Sequence, residues 1–200
     1  MRHVHARRFA MLAAAALLAL IPGCFSSGDP ADNDPPDPTY PFPGTAEQLM
    51  TNFKNAYDRM NIAEYRNVLH ADFLFVFAAG SPVAPPTGVY TREDDLESTT
   101  NMFNGEQGQD QDGTVKPGVR DIEFTQLQRL TDWEDVPGDD LRFPGARRAQ
   151  YDVRIVFLLE TESLNTITID CQQLFYVKSV TEPVDGGTRE HFYLIGQQDL

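Results

Sequence analysis

Residues 45–77 read TAEQLMTNFKNAYDRMNIAEYRNVLHADFLFVF, and the apolar spacing within them changes twice. Thr45 followed by Gln48 is a capping-box pattern, in which the hydroxyl and the amide satisfy backbone N–H groups left free at a helix start. Leu49, Phe53, Ala56, Tyr57 and Met60 then recur at three- and four-residue steps, which predicts a helix with one apolar stripe. Asn61 and Glu64 repeat the box at once, and Ile62, Tyr65, Val68 and Leu69 form a second, shorter stripe. Two helices therefore meet at a tight corner. Phe73 to Ala78 is short, aromatic and apolar on both faces, as expected of a buried strand.

Gly80 to Gly88, with three prolines, reads as a loop. Thr91-Arg-Glu-Asp94 starts a third helix that ends near Asn104-Gly105, and its few apolar positions (Leu96, Met102, Phe103) predict partial exposure. From Val119 the period shortens to two. Ile122 and Phe124 alternate, but Leu127 and Leu130 fall out of phase, which predicts a bulge or sharp bend in the strand between the two pairs. Arg148 to Glu160 alternates cleanly, with Tyr151, Val153, Ile155 and Phe157 on one face. After a turn over Glu160 to Asn165, Thr166 to Thr181 forms a long strand. Asp185-Gly186-Gly187 turns into a last strand from Glu190 to Gln197.

Ala46-Glu-Gln-Leu-Met-Thr-Asn-Phe-Lys-Asn-Ala-Tyr57, Asn61-Ile-Ala-Glu-Tyr65 and Leu69-His-Ala-Asp-Phe73-Leu-Phe-Val-Phe77 resemble the opening of SnoaL-like members of the NTF2-like (cystatin-like) superfamily. The element order resembles that fold too, over about Thr45 to Leu200. The resemblance implies an α+β cone, with three N-terminal helices packed on a strongly curved, mostly antiparallel sheet. Different members use the pocket of that cone for catalysis, for binding or for packing alone, so fold does not decide function.

Toward the N-terminus, Arg2, Arg7 and Arg8 precede an apolar run from Phe9 to Ile21, then Pro22-Gly23-Cys24. The run is too short for a permanent anchor, which needs about 20 apolar residues. Leu20-Ile21-Pro22-Gly23-Cys24 resembles a bacterial lipobox, with Pro22 where a small residue is usual, and this implies export followed by lipidation of Cys24. The expected address is the bacterial cell envelope, held to the membrane through Cys24. In a two-membrane envelope, Phe25 after the cysteine favours the outer membrane. Phe25 to Gly44, rich in Pro, Asp, Ser and Gly, reads as a disordered tether, leaving the domain to begin at Thr45.

The chain carries 16 basic against 30 acidic residues, a formal charge of −14. Removal of residues 1–23 takes away three arginines and no acid, leaving −17. That balance argues against nucleic acid as a partner. With Cys24 lipidated, Cys171 has no intramolecular partner, so a core and not a disulfide must hold the fold. No basic neighbour lowers the Cys171 thiol pKa, so Cys171 reads as a small buried hydrophobe.

The polar residues that interrupt the apolar strands are Asp152, Arg154, Asp170, Gln172, His191 and Tyr193. Acid–base chemistry in a cone needs a carboxylate and a donor converging on an apolar cavity, and Asp170 with Tyr57, Tyr65 or Tyr193 is one such set. Strand parity instead places Asp152, Arg154 and Asp170 on the outer face. His191 alternates with Tyr193 and Ile195, which predicts an inward aspect near the mouth. His70 is expected to serve the carbonyls ending the second helix. Gly108-Gln-Asp110-Gln-Asp112-Gly113 resembles part of a calcium loop but lacks acidic ligands at both ends. No metal or cofactor is expected. The leading reading is a non-enzymatic envelope lipoprotein binding a small apolar ligand or a protein partner, with dimerisation open; the alternative is a SnoaL-type isomerase, cyclase or dehydratase.

Overall fold

Each of the three helices begins on a side-chain cap. The structure, a computed structural model, describes residues 40–109, 113–161 and 165–200. The export signal, Cys24, most of the tether and residues 110–112 of the calcium-like pattern lie outside the described residues. Helix α1 spans Ala46–Asp58, α2 Ile62–Val68 and α3 Arg92–Phe103. Thr45 Oγ1 accepts from Gln48 N at 3.1 Å, whereas the Gln48 amide turns away to Asn52, so only half of that capping box forms. Asn61 Oδ1 accepts from Glu64 N at 3.1 Å, and Thr91 with Asp94 completes a reciprocal box on α3. The corner between α1 and α2 closes through Met60 in the left-handed region (φ 49°), with Asn61 N donating to the Ala56 carbonyl at 2.8 Å.

Among the described residues there are also nine strands: β1 Leu69–Val76, β2 Val89–Thr91, β3 Gly108–Gln109, β4 Val115–Lys116, β5 Val119–Arg129, β6 Glu134–Asp135, β7 Arg147–Leu159, β8 Thr166–Val184 and β9 Gly187–Asp199. The main sheet runs β2-β1-β9-β8-β7-β5, parallel only between β1 and β9, with β6 added to β7 and a separate β3–β4 ribbon. Three helices on a curled, mostly antiparallel sheet make the expected α+β cone. The bulge expected in β5 falls between Phe124 and Gln126. The Phe124 N–H there donates to Asp58 Oδ1 at 2.6 Å, which fastens the end of α1 to the sheet.

One face of the sheet receives the helices. Leu49, Phe53 and Ala56 of α1, Tyr65 of α2 and Phe103 of α3 pack on Phe73, Phe124, Val153, Phe175 and Leu194. The opposite face is covered locally by the segment 136–146, where Phe143 stacks on Tyr176 with ring centroids 4.0 Å apart. Gly196 permits that contact, because a Cβ there would stand 2.2 Å from the Phe143 ring.

One strand reading needs correction. A register shift between Tyr176 and Val177 leaves Ile195 as the extra residue of β9, since Val177 faces Leu194 and Tyr176 faces Gly196. Phe192 and Leu194 therefore join the main core and Ile195 joins the opposite cluster, so the His191–Tyr193–Ile195 face does not point into the cone. Ile167 and Ile169 do lie opposite the core residues Phe157 and Ile155, yet they remain 46% and 41% exposed because no helix reaches them.

The tether also ends earlier than its composition suggests. Tyr40 is buried and its hydroxyl donates to the Asn55 carbonyl at 2.9 Å. The buried Asn52 amide donates to the Pro41 carbonyl at 2.7 Å, and Phe192 N donates to the Pro43 carbonyl at 2.9 Å. Residues 40–43 run beside the stretch of β9 that precedes its pairing with β1, where Pro43 accepts from Phe192 N. Deleting residues 1–44 is therefore expected to cost roughly 2 to 4 kcal/mol, from the lost Tyr40 burial and the orphaned Asn52 amide. Urea titration of chains starting at Thr39 and at Thr45 checks this; equal midpoints would show that the arm adds nothing.

Candidate functional site

The cone interior is occupied by aromatic rings. Phe53 is 1% exposed and lies within 5.2–6.0 Å, centroid to centroid, of Tyr57, Tyr65, Phe124 and Phe175. Tyr57 in turn makes T-shaped contacts with Tyr65, Phe103 and Phe124.

A polar pair lies within this aromatic filling. Tyr65 Oη donates to Asp95 Oδ2 at 2.7 Å, joining α2 to α3. Tyr57 packs beside this pair, its ring centroid 5.2 Å from that of Tyr65. Burial raises both phenols above their ordinary range. It also pushes the Asp95 carboxyl up to about 6, against a smaller lowering by the Tyr65 hydrogen bond. Asp95 carried no distinguishing signal as the last of three consecutive acids. Its position four residues before Thr99 and eight before Phe103, on the buried face of α3, was the available clue.

This constellation has the ingredients of acid–base chemistry, but not the space. Cavities of 640, 440, 310 and 380 Å³ lie around the domain, and none is lined by Tyr57, Tyr65 or Asp95.

The other sequence candidates are dispersed. Asp170 is half exposed and paired with Arg154, whose Nε donates to it at 2.9 Å across β7 and β8. Asp152 accepts from Gln126, and Gln172 accepts from Gln150 at 2.7 Å. Cys171 is partly exposed, with its thiol pushed up by burial and by Asp199, Asp170 and Asp152. His70 Nδ1 accepts from Asp72 N at 3.1 Å, within the start of β1, and so does not serve the carbonyls of α2. Among the described residues no cluster of metal-binding side chains occurs.

His191 and Tyr193 do come together, outside the cone. Their rings stack at 3.9 Å, and Glu182 Oε1 lies 2.8 Å from His191 Nδ1 while accepting from Tyr193 Oη at 2.9 Å. The Tyr193 hydrogen bond is the main influence holding the Glu182 carboxyl below its usual range. Phe42 meets His191 edge-on, and Arg189 sits 3.8 Å over the Phe42 ring. The stack clips the N-terminal arm to β9 and forms one wall of a rim cleft of 640 Å³, which Arg66 and Arg92 also line. The 440 Å³ cavity is a groove between α3 and the ends of β5, β7 and β8, with Met102, Val119, Phe157, Leu159 and Ile167 as its apolar wall.

No protein-family model matches the chain, and no curated protein does. Solved structures are similar at low identity. An NTF2-like protein from Anabaena variabilis is 14% identical, with a TM-score of 0.45 over 78% of this chain and 84% of that one. An NTF2-like protein of unknown function from Cytophaga hutchinsonii is 11% identical, with a TM-score of 0.41 over 78% and 88%. A hypothetical protein with a ketosteroid isomerase-like fold from Catenulispora acidiphila, in complex with trimethylamine, is 10% identical, with a TM-score of 0.42 over 78% and 86%.

The buried carboxyl predicts a pH dependence of stability. Raising Asp95 from 3.8 to about 6 disfavours its charged form in the fold, so this contribution to stability is full below pH 3.8 and falls as the pH climbs through 6. The loss is roughly 3 kcal/mol for a shift of this size. Asp95→Asn keeps an acceptor for Tyr65 and removes the ionisation. The variant is expected to lose less stability than the wild type between about pH 4 and pH 7 in urea titrations; parallel curves would refute the assignment.

Proposed function

We propose that the chain is a non-enzymatic, lipid-anchored domain of a bacterial envelope that binds a small apolar ligand. The observation that carries this reading is the aromatic filling of the cone, which leaves the α3 groove as the accessible apolar concavity. Ile167 lines it while 46% exposed, so apolar surface faces solvent where a ligand can cover it. The lipobox-like Leu20-Ile21-Pro22-Gly23-Cys24 supports the lipid anchor. Phe25 to Thr39 then links Cys24 to the domain, at most about 45 Å when extended.

Two measurements test this. Nile red, a neutral probe, is expected to bind the full chain, and Ile167→Asp to weaken it at least about tenfold without lowering the melting temperature, because a charge in an apolar site is costly. Undiminished binding rules out the groove. Cys24→Ser is expected to abolish a diacylglyceryl N-terminus seen by mass spectrometry; a wild-type terminus at Ser27 without lipid rules out the anchor.

The second reading, an isomerase, cyclase or dehydratase, draws on the Tyr65–Asp95 pair. It requires the rings around Phe53 to open. Turnover of any substrate that vanishes in Asp95→Asn while binding persists would favour it.

A further inference from the structure

We propose that the rim cleft between the N-terminal arm, α2 and β9 is a second binding site, for an organic monoanion: a carboxylate joined to an aromatic or alkyl body. The cleft has aromatic side chains on one side, Tyr40, Phe42 and Tyr193, and two guanidinium groups, Arg66 and Arg92, among its lining. Half of the ten arginines among the described residues are neutralised nearby. Arg129, Arg147, Arg148, Arg154 and Arg189 each have a carboxylate within 4.0 Å. Among the described residues Arg66 and Arg92 have none, and of the arginines without one they are the two that line this cleft. Arg92 spends one Nη on the Arg66 carbonyl, at 3.1 Å, and its Nε is buried without a hydrogen-bond partner. A buried donor left unpaired calls for an occupant.

Charge selects the class of that occupant. Glu64 lines the same cleft, so two arginines and one carboxylate leave a local excess of a single positive charge. Glu182 adds nothing to this sum, being engaged by His191, Tyr193 and Arg189. One excess charge suits a carboxylate better than a phosphate dianion, and the planar guanidinium matches the two carboxylate oxygens. The rings of Tyr40 and Phe42 supply the surface for the apolar body, and a volume of 640 Å³ is ample for a ligand of this kind. The site exists only because residues 40–43 pack on the domain.

Calorimetric titration of the full-length protein in detergent with 4-phenylbutyrate and its uncharged amide tests this. The acid is expected to bind at least about tenfold more tightly than the amide, and Arg66→Gln and Arg92→Gln each to remove about tenfold of the acid's affinity while sparing the amide's. Arg66 is exposed, so its variant keeps the test decisive if Arg92→Gln weakens the fold through the lost bond to the Arg66 carbonyl. Ile167→Asp, which blocks the α3 groove, is expected to leave the acid's affinity unchanged. Absence of acid binding, equal affinity for acid and amide, indifference to both arginine variants, or loss of acid binding in Ile167→Asp would each overturn the proposal.

Discussion

Phe53 has to fill the concave face of a curved sheet. A sheet that curls presents its inner side chains toward one line, and α1 lies along it with Leu49, Phe53 and Ala56 essentially solvent-free. The ring of Phe53 reaches the central strand β8 through Phe175 and the edge strand β5 through Phe124, so the helix fixes the curvature as much as the sheet fixes the helix. Filling the centre with rings has a second consequence. The two largest of the cavities described lie at the margins, one where α3 stops short of Ile167 and one where the N-terminal arm crosses the start of β9.

A carboxyl inside such a core is expensive unless it is satisfied, and Asp95 is held by Tyr65, whose ring Tyr57 packs against edge-on. The bond joins α2 to α3, so it sets these two helices against each other where apolar contacts alone leave their rotation loosely defined. The same groups that resemble a catalytic set thereby have a structural occupation. Their chemistry depends on whether the surrounding rings ever separate.

The helices, their caps, the corner at Met60, the β5 bulge and the long hairpin were legible because each has a local cause: a capping side chain, a period, a turn dipeptide. What was not legible is non-local. The parity of His191 and Tyr193 depends on a one-residue shift between β8 and β9 near Ile195, and a run in which Phe192, Leu194 and Ile195 are all apolar cannot reveal which alternate set faces the core. The arm was hidden by averaging. Phe25 to Gly44 is polar and proline-rich as a whole, but Tyr40 and Phe42 are its last aromatic residues and sit two apart, the spacing of an extended segment with one face to bury. Asp95 was hidden by its neighbours, since Glu93 and Asp94 are ordinary first-turn acids.

Electrostatics separates the two margins. Over the sheet, cross-strand pairs such as Arg154 with Asp170 and Arg148 with Glu134 cancel charge locally, so the formal excess of acid is spread over the rest of the surface. Arg66 ends α2, where a cation is favoured by the helix carbonyls, while Arg92 opens α3, where it is opposed by the free N–H groups. The first placement is explained by helix stability alone. The second is explained by α2 instead: Arg92 Nη donates to the Arg66 carbonyl in the last turn of that helix at 3.1 Å, so the cation that opens α3 serves the C-terminal end of α2, while its buried Nε is left over beside the rim cleft.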